Sequence, residues 1–116
     1  KSRIRNYRRM SERRIVFGFG IDYQTPPETL QDISAIIREI IEKMENVRFD
    51  RVHFKEYGDS SLKYEVVYFV IDPDYKIYMD IQEKINLAIF RSFREKGIKF
   101  AHPVRAVLMK NETANP

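Results

Sequence analysis

His53 and His102 are the two histidines of this 116-residue chain, and imidazole is the side chain best suited to metal binding or proton transfer near neutral pH. They lie far apart in sequence with no carboxylate or cysteine at ligand spacing, so they read as surface or turn residues. Asp72 and Asp74 have the spacing of an acid–base pair, yet they flank Pro73 at the end of an apolar run, where a strand exit and a helix cap require such residues. The loop Asp22-Tyr23-Gln24-Thr25-Pro26-Pro27 sits where an acyl- or phosphoryl-transfer enzyme would cradle an anion with an arginine and backbone amides. It holds an acid, no arginine, and two prolines that lack amide hydrogens. Asn111-Glu112-Thr113 matches a glycosylation acceptor, a signal with no meaning in a cytosol. The sequence therefore offers no catalytic residue, no cofactor site and no metal ligands, and the expectation is a protein that is not an enzyme.

Composition points the same way. The 43% hydrophobic content and the length suit one compact core. Without cysteine there is neither a disulfide framework nor a thiolate metal site, which fits a reducing compartment. No apolar run approaches the roughly 20 residues that cross a bilayer. The chain opens on Lys1, and the expectation is a piece of a longer protein. An isoelectric point of 9.4 invites a nucleic-acid reading, but the charge is unevenly placed. Residues 1–14 carry seven basic side chains against Glu12, whereas the rest of the chain has two more acids than bases. Basicity belongs to an arm, able to meet nucleic acid or anionic headgroups or to stay solvated.

These residues must be positioned by a small set of elements. Ile15, Phe17, Phe19 and Ile21 alternate with Val16, Gly18, Gly20 and Asp22, the period of a strand with one apolar face. Thr25 as N-cap, proline in the first turn and Glu28 closing a capping box predict a helix start. Leu30, Ile33, Ile36, Ile37, Ile40, Ile41 and Met44 then form its buried stripe up to Asn46. Residues 49–57 alternate again, with Val52 and Phe54 inward and Arg51, His53 and Lys55 outward. Gly58-Asp59-Ser60-Ser61 is turn chemistry leading into a partner strand, residues 62–71. In that strand Leu62, Tyr64, Val66, Tyr68 and Val70 face the core, leaving Val67, Phe69 and Ile71 as apolar residues on the other side. Asp72 and Asp74 then lead into a second helix with Ile77, Ile81, Ile85, Ala88, Ile89 and Phe93 buried, stopped by Gly97.

Ile98 and Phe100 read as a short half-buried strand, and Pro103 forbids its smooth continuation. The order is βαββαβ, an α+β ferredoxin-like split βαβ sandwich with both helices on one face of an antiparallel sheet. Val104-Arg105-Ala106-Val107-Leu108-Met109 is one extended apolar segment more than this plan needs, an extra C-terminal strand suited to oligomer assembly. The expected division is residues 1–14 as a basic connection, 15–103 as the ferredoxin-like domain, 104–110 as the assembly strand and 111–116 as a disordered tail. RNA-recognition modules share this order, but they stack bases on aromatics of the open face of the first and third strands. Here those positions begin with Gly18, Gly20, Lys63 and Glu65.

Taken together, Asn6-Tyr7-Arg8-Arg9-Met10 with Arg13-Arg14-Ile15, Tyr23-x-Thr25, Gly58-x-Ser60-Ser61-Leu62, Ile85-Asn86-Leu87-Ala88-Ile89 and Gly97-Ile98-Lys99-Phe100-Ala101-His102-Pro103 resemble the cytoplasmic C-terminal domain of small-conductance mechanosensitive (MscS-type) ion channels. The resemblance runs over roughly residues 4–109. It implies membrane helices and a β domain upstream, with residues 1–14 as the end of that β domain, in a multi-pass protein of the cell membrane whose domain lies on the cytoplasmic side and serves in osmotic stress. It also implies a homo-oligomer, a heptamer, whose seven C-terminal domains form a cage that filters ions and solutes on their way to the pore. The final strands close a small barrel. Val104, Ala106, Val107, Leu108 and Met109 match that strand by position, and Val67 and Phe69 are further candidates for the subunit interface. The expected partners are other copies of the subunit and the membrane, with no nucleic acid and no cofactor. The alternative is a free-standing ferredoxin-like module that binds a ligand or RNA.

Overall fold

A computed structural model describes residues 12–101. The predicted segments 104–110 and 111–116, and most of the basic arm, lie outside the described residues. In chain order the elements are strand β1 (Glu12–Ile21), helix α1 (Pro27–Glu42), strands β2 (Val47–Tyr57) and β3 (Leu62–Ile71), and helix α2 (Tyr75–Lys96). The three strands form an antiparallel sheet in the order β1-β3-β2. Phe100 adds a single antiparallel bridge to Ile21 on the outer side of β1, the position of the expected fourth strand. The α+β, ferredoxin-like reading therefore holds. Glu12, Arg13 and Arg14, grouped by charge with the arm, are residues of β1.

Two isoleucine-rich helices cover one face of the sheet. Ile33, Ile36, Ile37 and Ile41 of α1 and Ile81, Ile85, Ile89 and Phe93 of α2 pack onto Ile15, Ile21, Leu62, Tyr64, Val66, Tyr68 and Val70. This burial of apolar surface is the main stabilising term. Phe17 and Phe19 lie half-buried at the margin, Phe19 stacked on Tyr64 with ring centroids 5.4 Å apart. Tyr68, at the centre, donates its hydroxyl to Gln82 Oε1 at 2.6 Å, which satisfies both polar groups in an apolar setting.

The entry to α1 differs from the sequence expectation. Pro26, not Thr25, is the N-cap, and no side chain caps the helix. Thr25 turns back instead, donating its hydroxyl to Asp22 O at 2.7 Å, so the capping box with Glu28 does not form. The physical cause is Asp22, whose carboxylate accepts the Gln24 amide and whose carbonyl accepts the Thr25 amide, winding the loop into a turn before the prolines. The helix also stops at Glu42, earlier than the periodicity implied, and Asn46 takes the left-handed conformation that reverses the chain into β2.

The limits of α2 follow the expectation. Asp72 Oδ1 accepts the Asp74 amide and Asp74 Oδ1 accepts the Lys76 amide, a strand exit followed by an N-cap. At the other end Gly97 has φ +73°, and the Ile98 and Gly97 amides donate to Phe93 O and Arg94 O, the paired bonds of a Schellman stop. Ile98 is buried immediately after the turn.

Candidate assembly surface

The face of the sheet away from the helices is open, and the register sets its rows. Arg14, Phe69 and Arg48 are cross-strand neighbours, followed by Val16, Val67 and Arg51, then Gly18, Glu65 and His53. β2 is bulged at two places, between Phe49 and Arg51 and between Phe54 and Glu56. The first bulge lets Phe49 pack on the core while Arg51 faces outward, although strict alternation would send both to the same side. Both bulges interrupt an edge strand, which lowers its value as a template for indiscriminate pairing.

An arginine covers the aromatic residue of this face. The Arg48 guanidinium lies 4.2 Å above the Phe69 ring and bonds Glu12 Oε1 at 3.0 Å. Val67 is fully buried within the isolated domain, with Val16 and Arg51 as its cross-strand neighbours. Of the two interface candidates on β3, Phe69 therefore offers a half-buried ring beneath an arginine, whereas Val67 offers no free surface. The exposed apolar side chains on this side are Val16 and Ile71, 46% and 45% exposed.

Glu65 organises the middle of the face. Its carboxylate accepts Arg51 Nη2 at 2.9 Å and lies 3.5 Å from Lys55 Nζ. The bond from Arg51, aided by the charges of Lys55 and Arg51, outweighs partial desolvation and holds this carboxyl below the usual carboxylate range. Arg51 Nη1 also sits 3.3 Å from His53 Nδ1, placing His53 in a basic surface cluster. Among the described residues no three His, Asp or Glu side chains converge as a metal site.

Beside Glu65, Gly18 and Gly20 leave a shallow depression of about 440 Å³ bordered by Val16, Lys55, Lys63 and Glu65. A Cβ on Gly18 would stand 2.7 Å from Tyr64 O, and one on Gly20 would stand 2.8 Å from Ser61 Cβ. Both glycines are required by close approach. Among the described strand residues Phe69 is the aromatic of the open face, so the paired stacking platforms of an RNA reader are not formed.

A second apolar region runs along α2. Tyr75, Met79, Leu87 and Phe90 are 61%, 40%, 52% and 53% exposed. Phe90 also borders a small groove of about 170 Å³ against β1, lined by Phe17, Gly18, Phe19, Asn86, Ile89 and Phe100. At the start of α2, Arg13 clamps strand to helix, donating to Pro73 O at 3.1 Å with its guanidinium near the Tyr75 and Tyr78 rings. Charge alone groups Arg13 with the arm, but its pairing with Val70, beside the Pro73 turn, makes it part of the sheet.

The model of the C-terminal region of the MscS mechanosensitive ion channel matches residues 15–100, nearly the whole described fold. The chain belongs to this family. Its relatives include the small-conductance mechanosensitive channel MscMJ of Methanocaldococcus jannaschii, 36% identical over 96% of this chain, and an uncharacterised MscS family protein of Aquifex aeolicus, 36% identical over 92%. The large-conductance channel MscMJLR of M. jannaschii is 35% identical over 80%. The chain spans about a third of the length of these relatives, 32%, 30% and 27% respectively. The crystal structure of Helicobacter pylori MscS in its closed state superposes with a TM-score of 0.53, covering 77% of this chain and 34% of that one at 21% identity, a likeness of fold. The predicted interface residues Val104, Ala106, Val107, Leu108 and Met109 lie outside the described residues.

Proposed function

We propose that this chain is the cytoplasmic vestibule domain of a mechanosensitive channel subunit, which scaffolds a ring of seven copies and filters ions and solutes before the pore. The observation that carries the reading is the family match over residues 15–100, together with relatives named as mechanosensitive channels along most of this chain. The described structure agrees with a supporting role. His53 sits in a surface cluster, Asp72 and Asp74 serve a turn and a cap, and among the described residues no helix is long and apolar enough to span a membrane. Tension sensing and conduction belong to upstream membrane helices, while this domain holds the ring below them. Charged rows such as Arg48, Arg51, Lys55 and Lys63 bias the ions that enter.

Patch recordings test this function. The parent subunit, expressed in cells stripped of their own mechanosensitive channels, should give currents opened by suction and should protect the cells from osmotic downshock. A well-expressed, membrane-inserted subunit without tension-gated current would contradict the assignment.

A further inference from the structure

Strand β1 begins at Glu12, and its first two residues are fastened on opposite faces of the sheet. On the open face Arg48 of β2 reaches over the Phe69 ring of β3 and bonds Glu12 Oε1 at 3.0 Å, one contact that spans all three strands. On the helix face Arg13 donates to Pro73 O at 3.1 Å, and its guanidinium carbon lies 5.7 Å and 5.8 Å from the ring centres of Tyr75 and Tyr78, in the first turn of α2. The two tyrosines meet edge to face at 5.5 Å. Arg13 Nε is buried and finds no acceptor among the described residues. The guanidinium is therefore held by two rings and one carbonyl, a geometry that a lysine ammonium cannot reproduce.

The place of these contacts gives them a purpose. The backbone groups of Gly20 and Asp22 turn outward to Ala101 and Lys99, so alternation turns those of Arg13 toward β3, where Arg13 and Val70 form the hydrogen-bonded pair nearest the start of the strand. A strand loaded at its end opens from that pair inward. Glu12 and Arg48 are 34% and 51% exposed, and such a pair alone contributes under about 1 kcal/mol. Set opposite Arg13, it braces the strand end from both sides.

We propose that Glu12 and Arg13 form a two-sided clasp that seats the start of β1, so that a displacement arriving through residues 1–11 carries β2, β3 and α2 with it instead of peeling β1 from β3. That displacements arrive there rests on the function proposed above; the clasp rests on the contacts alone.

Amide hydrogen exchange on the 116-residue chain tests the clasp without a channel current, so a silent parent subunit and a failed clasp are separate results. The amides of position 13 and Val70 report the entry pair, and those of Phe19 and Tyr64, farther along the same two strands, serve as references. In Glu12→Gln combined with Arg13→Lys, the entry amides should exchange about tenfold faster or more while the references keep their rates. Unchanged entry amides would overturn the clasp, and so would a rise shared equally by the references, which is a loss of global stability. The chain lacks cysteine, so cysteines placed at Lys1 and Glu45 give unique handles for pulling across this end of the sheet, where Val47 pairs with Val70. The chain with both contacts intact should yield in one step, and the double variant should open earlier, at lower force. An early opening with both contacts intact would overturn the seating role.

Discussion

Gly18 and Gly97 are glycines for different reasons, and substitution separates them. Gly97→Ala meets open space but forces a side chain into a left-handed backbone, at a cost of about 1–2 kcal/mol. Gly18→Ala has ordinary backbone freedom but places its methyl 2.7 Å from Tyr64 O, so the strands must part, at a cost of about 1–3 kcal/mol. Urea titrations check both values. Tyr68→Phe leaves Gln82 Oε1 buried without its donor and should destabilise the fold by about 1–3 kcal/mol. Burial also raises the Tyr68 phenol well above its ordinary value of 10.0, favouring the neutral form in the folded state. That contribution is fully present below pH about 10 and is lost as pH rises, so stability should fall in alkali, and less steeply in Tyr68→Phe. Glu65 has the opposite sign. Its pKa is lowered from 4.5, mainly by the bond from Arg51, so its contribution is present above that value and lost as pH falls through the folded value. In Arg51→Gln the Glu65 carboxyl should titrate closer to 4.5, which carbon-detected NMR reads directly.

At the scale of elements, the isoleucine stripes carry the fold. Ile37 is fully buried between α1 and the sheet, and Ile37→Ala should cost about 2–5 kcal/mol, whereas Arg38→Ala, which breaks an exposed pair with Glu42, should cost under about 1 kcal/mol. Thermal melts of the two variants compare interior with surface. The stripes were legible in sequence because periods of two and 3.6 report burial directly, and Gly97 was legible because few residues other than glycine stop a helix this way. Three features escaped. Thr25 looked like an N-cap, but Asp22 captured its hydroxyl and amide in a preceding turn, a competition between neighbouring caps that composition does not rank. The bulge near Asp50 turned Phe49 inward, and a single inserted residue is invisible to a periodic count. Val67 read as spare apolar surface, yet it is fully buried on the open side of the sheet, where its cross-strand neighbours are Val16 and Arg51. Long cations hide apolar area that hydropathy records as exposed.

For the whole molecule, the described residues build one core that closes on the bridge at Phe100, and residues 104–109 are proposed to meet other copies. The two helices, the three strands and the bridge at Phe100 pack together among the described residues. Ending the chain after Ala101 should therefore change unfolding free energy by no more than about 0.5 kcal/mol while removing self-association. In the proposed ring, the exposed residues Leu87 and Phe90 of α2 and Val16 and Ile71 of the sheet would be available for further contacts, where the high local concentration of tethered copies makes weak patches count. Light scattering over a concentration series, run on the 116-residue chain and on the chain ended after Ala101, tests the assembly claim most directly. The longer chain should rise above its monomer mass of 13.9 kDa as concentration increases, while the shortened chain stays folded and monomeric. Equal behaviour of the two chains, whether both associate or both remain single, would contradict it.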